Sequence, residues 1–498
     1  ARSGDEAGGI RVVNMNRTRI VGLYLLMFFG CAASSHVVFK VHHRFKGRHR
    51  SLGALKAHDA NRHRRVLAAI DVPLGGNGHP SDTGLYFAEL QIGTPPKKYY
   101  VQVDTGSDIL WVNCVDCRKC PRKSDIGIEL TLYDPKSSMT GDMVTCDQAF
   151  CASTYEGALA GCRPELLCQY NIVYGDGSST AGYFVKDFVQ FDQVSGNFQT
   201  RPLNKTVIFG CGSKQSGELG TSTEALDGIL GFGQANSSMI SQLASAGKVR
   251  KTFSHCLDNV NGGGIFAIGH VVQPTVNTTP LVPDQAHYNV VMKAIKVGSN
   301  ALKLPTDIFD TETHKGTIID SGTTLAYFPS SIYELLVQKI MAHQPDLKLH
   351  AVDQQFTCFN FPGNVDDGFP VVSLHFEGSI SLKVHPHEYL FPIRENAWCL
   401  GWQDGGMQTR DGKDIILLGD LVLSNRLVMY DLENQTIGWT EYNCSSSIKV
   451  KDHRSRFSYL VGAHSVSSAF ALECRDVPTI VLIGHCVVQS CTLNHGHE

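Results

Sequence analysis

The chain has 498 residues, more than one hydrophobic core usually serves, so two packed lobes with terminal appendages fit its size. Charged residues make up only 18% and Gly numbers 48, which favours many turns and a β-rich fold over long solvated helices. The net charge of −3 conceals a basic leader: residues 1–78 carry 13 Lys+Arg against 4 Asp+Glu, so the remainder is acidic and has no basic patch to suggest a nucleic-acid partner.

Taken in order, residues 1–14 read as sequence foreign to the folded protein. Met15, with Arg17 and Arg19 before an apolar run ending near Ala32-Ala33-Ser34, has the form of a secretory signal peptide over 15–35. Residues 36–78 are basic and poor in apolar side chains, and read either as a solvated arm or as a propeptide. Gly84–Ile92 and Tyr99–Val103 predict a hairpin broken at Gly93-Thr-Pro-Pro96, which delivers Asp104-Thr105-Gly106-Ser107 at its end. Seven cysteines between Cys114 and Cys168, without a clear period, read as a disulfide-stapled insert. Ile172–Ser178 predicts a strand entering the Gly-rich turn Tyr174-Gly175-Asp176-Gly177.

Asp227–Gly233 and Ile415–Asp420 are matched apolar runs closed by glycine. Between them Thr317–Ile319 leads into Asp320-Ser321-Gly322-Thr323, 216 residues after the first such motif. A helix is predicted over Ser330–Met341, with a Ser able to cap it and Ile332, Leu335, Leu336 and Ile340 on one apolar face. Twelve cysteines from Cys114 to Cys444 suggest six disulfides and an oxidising compartment. Cys146/Cys151 and Cys162/Cys168 could each bridge locally. Cys114-x-x-Cys117-x-x-Cys120 could be part of a metal site, but no fourth ligand stands at a familiar spacing. Asn204, Asn236, Asn277, Asn434 and Asn443 head N-glycosylation tripeptides. After Ser447 the folded pattern stops, so 444–498 reads as a tail.

The paired Asp-Thr-Gly-Ser and Asp-Ser-Gly-Thr motifs, each after an apolar strand, resemble the active-site signature of pepsin-like aspartic proteases. The likeness covers about residues 84–443, and the extra cysteines resemble the plant, nepenthesin-like branch. It implies a mostly β, bilobal, pepsin-like double β-barrel with a cleft between lobes and a few short helices. Its lobes would be residues 79–285, with the insert and flap, and 286–443. Asp104 and Asp320 would be the catalytic carboxyls, with Ser107 and Thr323 bonded to their outer oxygens, Thr105 and Ser321 tying the loops together, and Gly106 and Gly322 completing them. Tyr174 would close over substrate on the flap formed with Gly175, Asp176 and Gly177, and Trp111 would hold Tyr174 by a hydrogen bond. Cys358/Cys399 would be a bridge of the second lobe, and 36–78 a propeptide lying over an acidic cleft.

Two carboxyls about 3 Å apart cannot both ionise readily, as this protease family exemplifies, so one accepts a proton from water while the other donates to the substrate. The resemblance thus implies an acid-active endopeptidase with a polypeptide substrate, no metal and no cofactor, secreted to the extracellular space, cell surface or vacuole as a monomer. Two alternatives stay open. A catalytically dead protein on the same fold, like the plant xylanase inhibitors, typically lacks an Asp, its Gly or the flap, all intact here. For the tail, a glycolipid-anchor signal would need its apolar run at the extreme end, and here Asn494-His-Gly-His-Glu498 follows.

Overall fold

The strand Lys97–Asp104 lies between its antiparallel hairpin partner Leu85–Ile92 and a parallel neighbour, Gly228–Gly231. These positions belong to a computed structural model, which describes residues 67–80, 84–304, 309, 316–353, 356–405, 414–452 and 457–466. The segment 15–35, expected to be a signal peptide, and most of the basic segment lie outside the described residues. Among the described residues strand is the dominant element and the helices are short, the longest being Ser330–Met341.

The arrangement around Asp104 recurs around Asp320. In the first, Gly228–Gly231 runs parallel to the strand before Asp104, with Leu230 opposite Val103, and antiparallel to Leu110–Arg118, the strand after it. In the second, Ile416–Leu418 runs parallel to Thr317–Ile319, with Leu418 opposite Ile319, and antiparallel to Ala326–Phe328. Each support strand therefore threads between the two chain segments flanking its Asp. Glycine is required where the crossing is tightest: a Cβ on Gly228 would lie 1.9 Å from the Trp111 carbonyl oxygen, and one on Gly419 would lie 2.2 Å from that of Thr323.

A fifteen-stranded sheet joins the two halves of the chain. Its seam is the antiparallel pair Thr252–Leu257 and Arg426–Asp431, with Phe253 opposite Tyr430. Aromatic rings fill the seam, Phe253 stacking on Tyr430 at 4.4 Å between centroids. The fold is thus mostly β and bilobal, as expected.

Three expectations are corrected. The basic segment does not run as a separate arm to residue 78: Ile70–Asp71 is inserted between Ser179–Gly196 and Gly264–Ile268, and Leu74–Asn77 pairs with Leu85–Ala88. Ile70 and Leu74 are fully buried, and this anchoring apolar pair is too short to register as a periodic strand. The fold also does not stop at Ser447. Ser447–Lys451 and Ser458–Gly462 form a hairpin against His270–Gln273 and bury Ile448, Val450 and Val461. In the predicted helix, which has the expected limits, Pro329 rather than a serine stands at the cap, Ser330 Oγ donates to Asp404, and Leu335 is exposed.

All twelve cysteines of the body are paired, as six disulfides. Cys358–Cys399 is the expected bridge of the second half. In the insert the pairs are Cys146–Cys162 and Cys151–Cys168 rather than the sequence neighbours. The reason is a backbone pairing, Cys146 N to Leu166 O and Cys168 N to Val144 O, which sets two segments side by side so that sulfurs meet across it. Cys117 pairs with Cys120 and Cys114 with Cys211, which removes the thiolates a metal site at Cys114-x-x-Cys117-x-x-Cys120 would need. Among the described residues, Cys114, Asp116 and Cys211 alone cluster closely enough to hold an ion, and two of the three are bonded to each other.

Candidate active site

Two loops with the same internal wiring face one another. In the first, Gly106 N donates to Asp104 Oδ1 at 2.7 Å and the Ser107 hydroxyl donates to Asp104 Oδ2. In the second, Gly322 N donates to Asp320 Oδ1 at 2.7 Å and Thr323 Oγ1 donates to Asp320 Oδ2 at 2.7 Å. Each carboxyl is oriented by its own loop, one oxygen by a backbone amide and the other by a hydroxyl.

The glycines explain how close the loops come. A Cβ on Gly322 would lie 2.1 Å from Asp104 Oδ1, and one on Gly106 would lie 2.6 Å from Asp320 Oδ2. Each glycine therefore packs against the opposite carboxyl, and a side chain there would occupy its place. Two further bonds cross the gap: Ser321 N donates to Thr105 Oγ1 at 2.9 Å, and Gln102 Nε2 donates to the Gly322 carbonyl at 3.1 Å. Thr105 and Ser321 thus do tie the loops together, through the Thr105 hydroxyl. The Ser321 hydroxyl is buried without a protein partner.

Asp104 and Asp320 are 6% and 7% exposed. Burial, and then the charge of Asp320, push the Asp104 pKa up to about 7 against the opposing bonds from Ser107 and Gly106. A third carboxyl, Asp420, is buried beside the pair. Burial first and then the charges of Asp320 and Asp104 raise its pKa well above the ordinary range. Sequence reasoning placed Asp420 only at the end of a support strand. Its position straight after the glycine of that strand was the available signal.

Tyr174 stands at the end of the strand Gln169–Val173, and its hydroxyl accepts a 2.7 Å hydrogen bond from Trp111 Nε1. The hairpin continues into Ser179–Gly196 through a turn closed by Gly177 N to Tyr174 O at 3.0 Å, with Asp176 Oδ1 accepting from Ser178 N. Gly177 has φ +81°, a left-handed conformation that favours glycine, whereas Gly175 has open space around it and no such requirement. Asp104 contributes, after burial, to the raised pKa of the Tyr174 phenol, so this hairpin belongs to the same site. The glycosylation candidates lie elsewhere: Asn204, Asn236, Asn277, Asn434 and Asn443 are all exposed.

A duplicated Asp-bearing loop on a bilobal β fold, with a tyrosine hairpin beside it, defines the pepsin-like class of proteins. Solved structures bear out the fold: the crystal structure of basic 7S globulin from soybean matches at TM-score 0.57 and 23% identity over 75% of this chain and 96% of that one. Conglutin gamma from lupine seeds matches at TM-score 0.59 and 21% identity over 76% and 96%. Family models described as xylanase inhibitor N-terminal and C-terminal match residues 86–270 and 287–441. Aspartic proteinase 36 of Arabidopsis thaliana is 53% identical over 460 residues, covering 92% of this chain and 95% of the relative. Aspartic proteinase 39 of the same plant is 52% identical, covering 88% and 90%. The chain belongs to the plant pepsin-like aspartic protease family.

Proposed function

We propose that the protein is an aspartic endopeptidase that hydrolyses extended polypeptides at acidic pH, with Asp104 and Asp320 sharing a proton and activating a water held between them. The observation that carries this reading is the mutual wiring of the two loops, each carboxyl oriented by its own loop and pressed against the glycine of the other. The charged member takes a proton from water as the water attacks the carbonyl, and the protonated member donates to the substrate. The pair titrates as a unit, so the roles belong to both residues together. Tyr174, tethered by Trp111, closes over the bound peptide. No metal or organic cofactor enters this chemistry.

The six disulfides support passage through an oxidising secretory route, and hence a signal peptide at 15–35, glycosylation at the exposed sequons, and release to the cell exterior, surface or vacuole. The proteolytic inhibitor would be the basic segment upstream of Ala69, since residues beyond it are part of the sheet. The description of the matching family models favours a second reading, an inactive inhibitor-like protein on this fold. Against it stands the retention of Asp104, Gly106, Asp320, Gly322 and Tyr174.

The test is expression from Met15, acidification, and assay of denatured-protein cleavage with and without a transition-state mimic of peptide hydrolysis. Expected is cleavage blocked by the mimic and abolished in Asp104→Asn. Cleavage indifferent to both overturns the reading.

A further inference from the structure

The short helix Asp420–Leu423, directly after the second support strand, is gripped at both ends. At its start Asp420 N donates to the Thr323 carbonyl at 2.7 Å and Leu421 N donates to that of Thr324 at 2.9 Å. Thr323 is the residue whose hydroxyl orients Asp320, at 2.7 Å from Oδ2. At its end the guanidinium of Arg426 donates through Nη1 to the carbonyls of Val422 and Ser424, the latter at 3.0 Å. Nη2 donates to the Lys383 carbonyl at 2.7 Å and to Glu388 Oε2 at 2.9 Å. Glu388 Oε2 also accepts from His385 N at 2.8 Å. Arg426 and Glu388 are 1% and 3% exposed, so the pair is shut off from water.

We infer that Arg426, anchored by Glu388, is a positioning residue for the second catalytic loop: it fixes the helix Asp420–Leu423, and the helix holds the loop that carries Asp320. This deepens the endopeptidase reading and rests on it. So short a helix cannot hold itself, because its last carbonyls find no partner within it. Arg426 supplies donors to the Val422 carbonyl and to that of the capping residue Ser424, and a cation at this end also interacts favourably with the aligned carbonyl dipoles. A guanidinium presents its donors in a rigid fork. Acceptors at 383, 388, 422 and 424 are thereby set relative to one another, which the point charge of an ammonium cannot do.

The corresponding contact in the first half is secured differently. There Gly233 N donates to the Ser107 carbonyl at 2.8 Å, as Asp420 N does to that of Thr323. The chain beyond Gly233 is held by Asp108, the neighbour of Ser107 itself, whose Oδ1 accepts from Ala235 N at 2.9 Å. The second loop has Thr324 in that place, and its hydroxyl donates to the Gly84 carbonyl instead. The holding task therefore passes to a residue outside the motif. Stability alone is a weak reason for a buried ion pair, since desolvating two charges is costly and an apolar pair of similar volume often does as well. Arg426 acts through the helix rather than on the substrate.

The experiment compares Arg426→Lys, Arg426→Met and the Arg426→Met/Glu388→Leu double variant with wild type and Asp104→Asn. Readouts are Tm, and kcat and KM measured well below the Tm of each variant. Arg426→Met alone strands the Glu388 charge in the interior and is expected to lower Tm sharply. Removing both charges relieves that penalty, so the double variant should regain most of the lost Tm. Its kcat should nonetheless stay roughly 10–100-fold below wild type at unchanged KM, as a small misplacement of catalytic groups produces, because the Val422 and Ser424 carbonyls have lost their donors. Arg426→Lys keeps the charge without the fork and should show a kcat loss of the same kind, smaller in size. It carries the test by itself if the double variant does not fold.

Wild-type kcat in the double variant or in Arg426→Lys overturns the inference while leaving the protease reading intact, since the pair would then serve stability alone. So does a raised KM at unchanged kcat, which would assign Arg426 to substrate binding. A wild-type chain that neither cleaves protein nor binds a transition-state mimic overturns both.

Discussion

At residue 322 a single methyl group would stand where the Asp104 carboxyl stands. Gly322→Ala is expected to lower turnover by at least about 100-fold, the scale on which misplaced catalytic groups fail, with Tm reporting whether the loop itself survives. The buried Asp104 carboxyl also makes a pH prediction. A folded-state pKa raised to about 7 means that the native protein holds the Asp104 proton more tightly than the unfolded chain does. Stability is therefore undiminished below the ordinary carboxylate range and falls as pH rises toward 7. Asp104→Asn, which cannot ionise, should match wild type in unfolding free energy at pH 3.5 and exceed it at pH 7.5, by on the order of a few kcal/mol. Equal differences at both pH values would refute the burial argument.

Among the elements, the hairpin after residue 446 is the least expected, and its contacts assign it a task. Gly264 and His464 exchange backbone hydrogen bonds at 2.7 and 2.8 Å, and Val466 N donates to Leu74 O at 2.7 Å. His464 Nε2 lies 2.8 Å from Asp71 Oδ2. The end of the described chain thus straps the first two strands to the body. Ile448→Ala should cost about 2–5 kcal/mol, as for other buried aliphatic truncations, measurable by denaturant unfolding. The Asp71 hydrogen bond, opposed by burial, raises the His464 pKa. A raised histidine pKa contributes stability at acidic pH that is lost as pH rises through the folded-state value. His464→Gln should therefore lower Tm more at pH 5 than at pH 8.5, and the reverse order would exclude a protonated contact.

For the molecule as a whole, the joint between halves decides integrity. The halves share one sheet through Thr252–Leu257 and Arg426–Asp431, and Cys256–Cys444 clamps the same seam over a separation of 188 residues. Loop-closure entropy for so distant a pair predicts a stabilisation of about 3–5 kcal/mol. Replacing both cysteines by serine should lower the unfolding free energy by that amount.

Much of the site was legible because its signals are short and local. An apolar strand, an Asp, a hydroxyl and a glycine, repeated 216 residues apart, specify two loops, and the glycine-closed runs that support them repeat in step. The turn after Tyr174, Trp111 and the helix Ser330–Met341 carry equally local marks. What tertiary structure alone decided is whatever depends on a distant partner. Ile70–Asp71 and Leu74–Asn77 are too short for periodicity and become strands by insertion between others. Cys146 meets Cys162 because two backbone segments pair, which no spacing encodes. His255 and Tyr430 look like ordinary strand residues until the seam brings the imidazole within 3.1 Å of the phenol. A motif can be read where its chemistry lies within a few residues, whereas a contact closed over a hundred or more exists only once the sheet has formed.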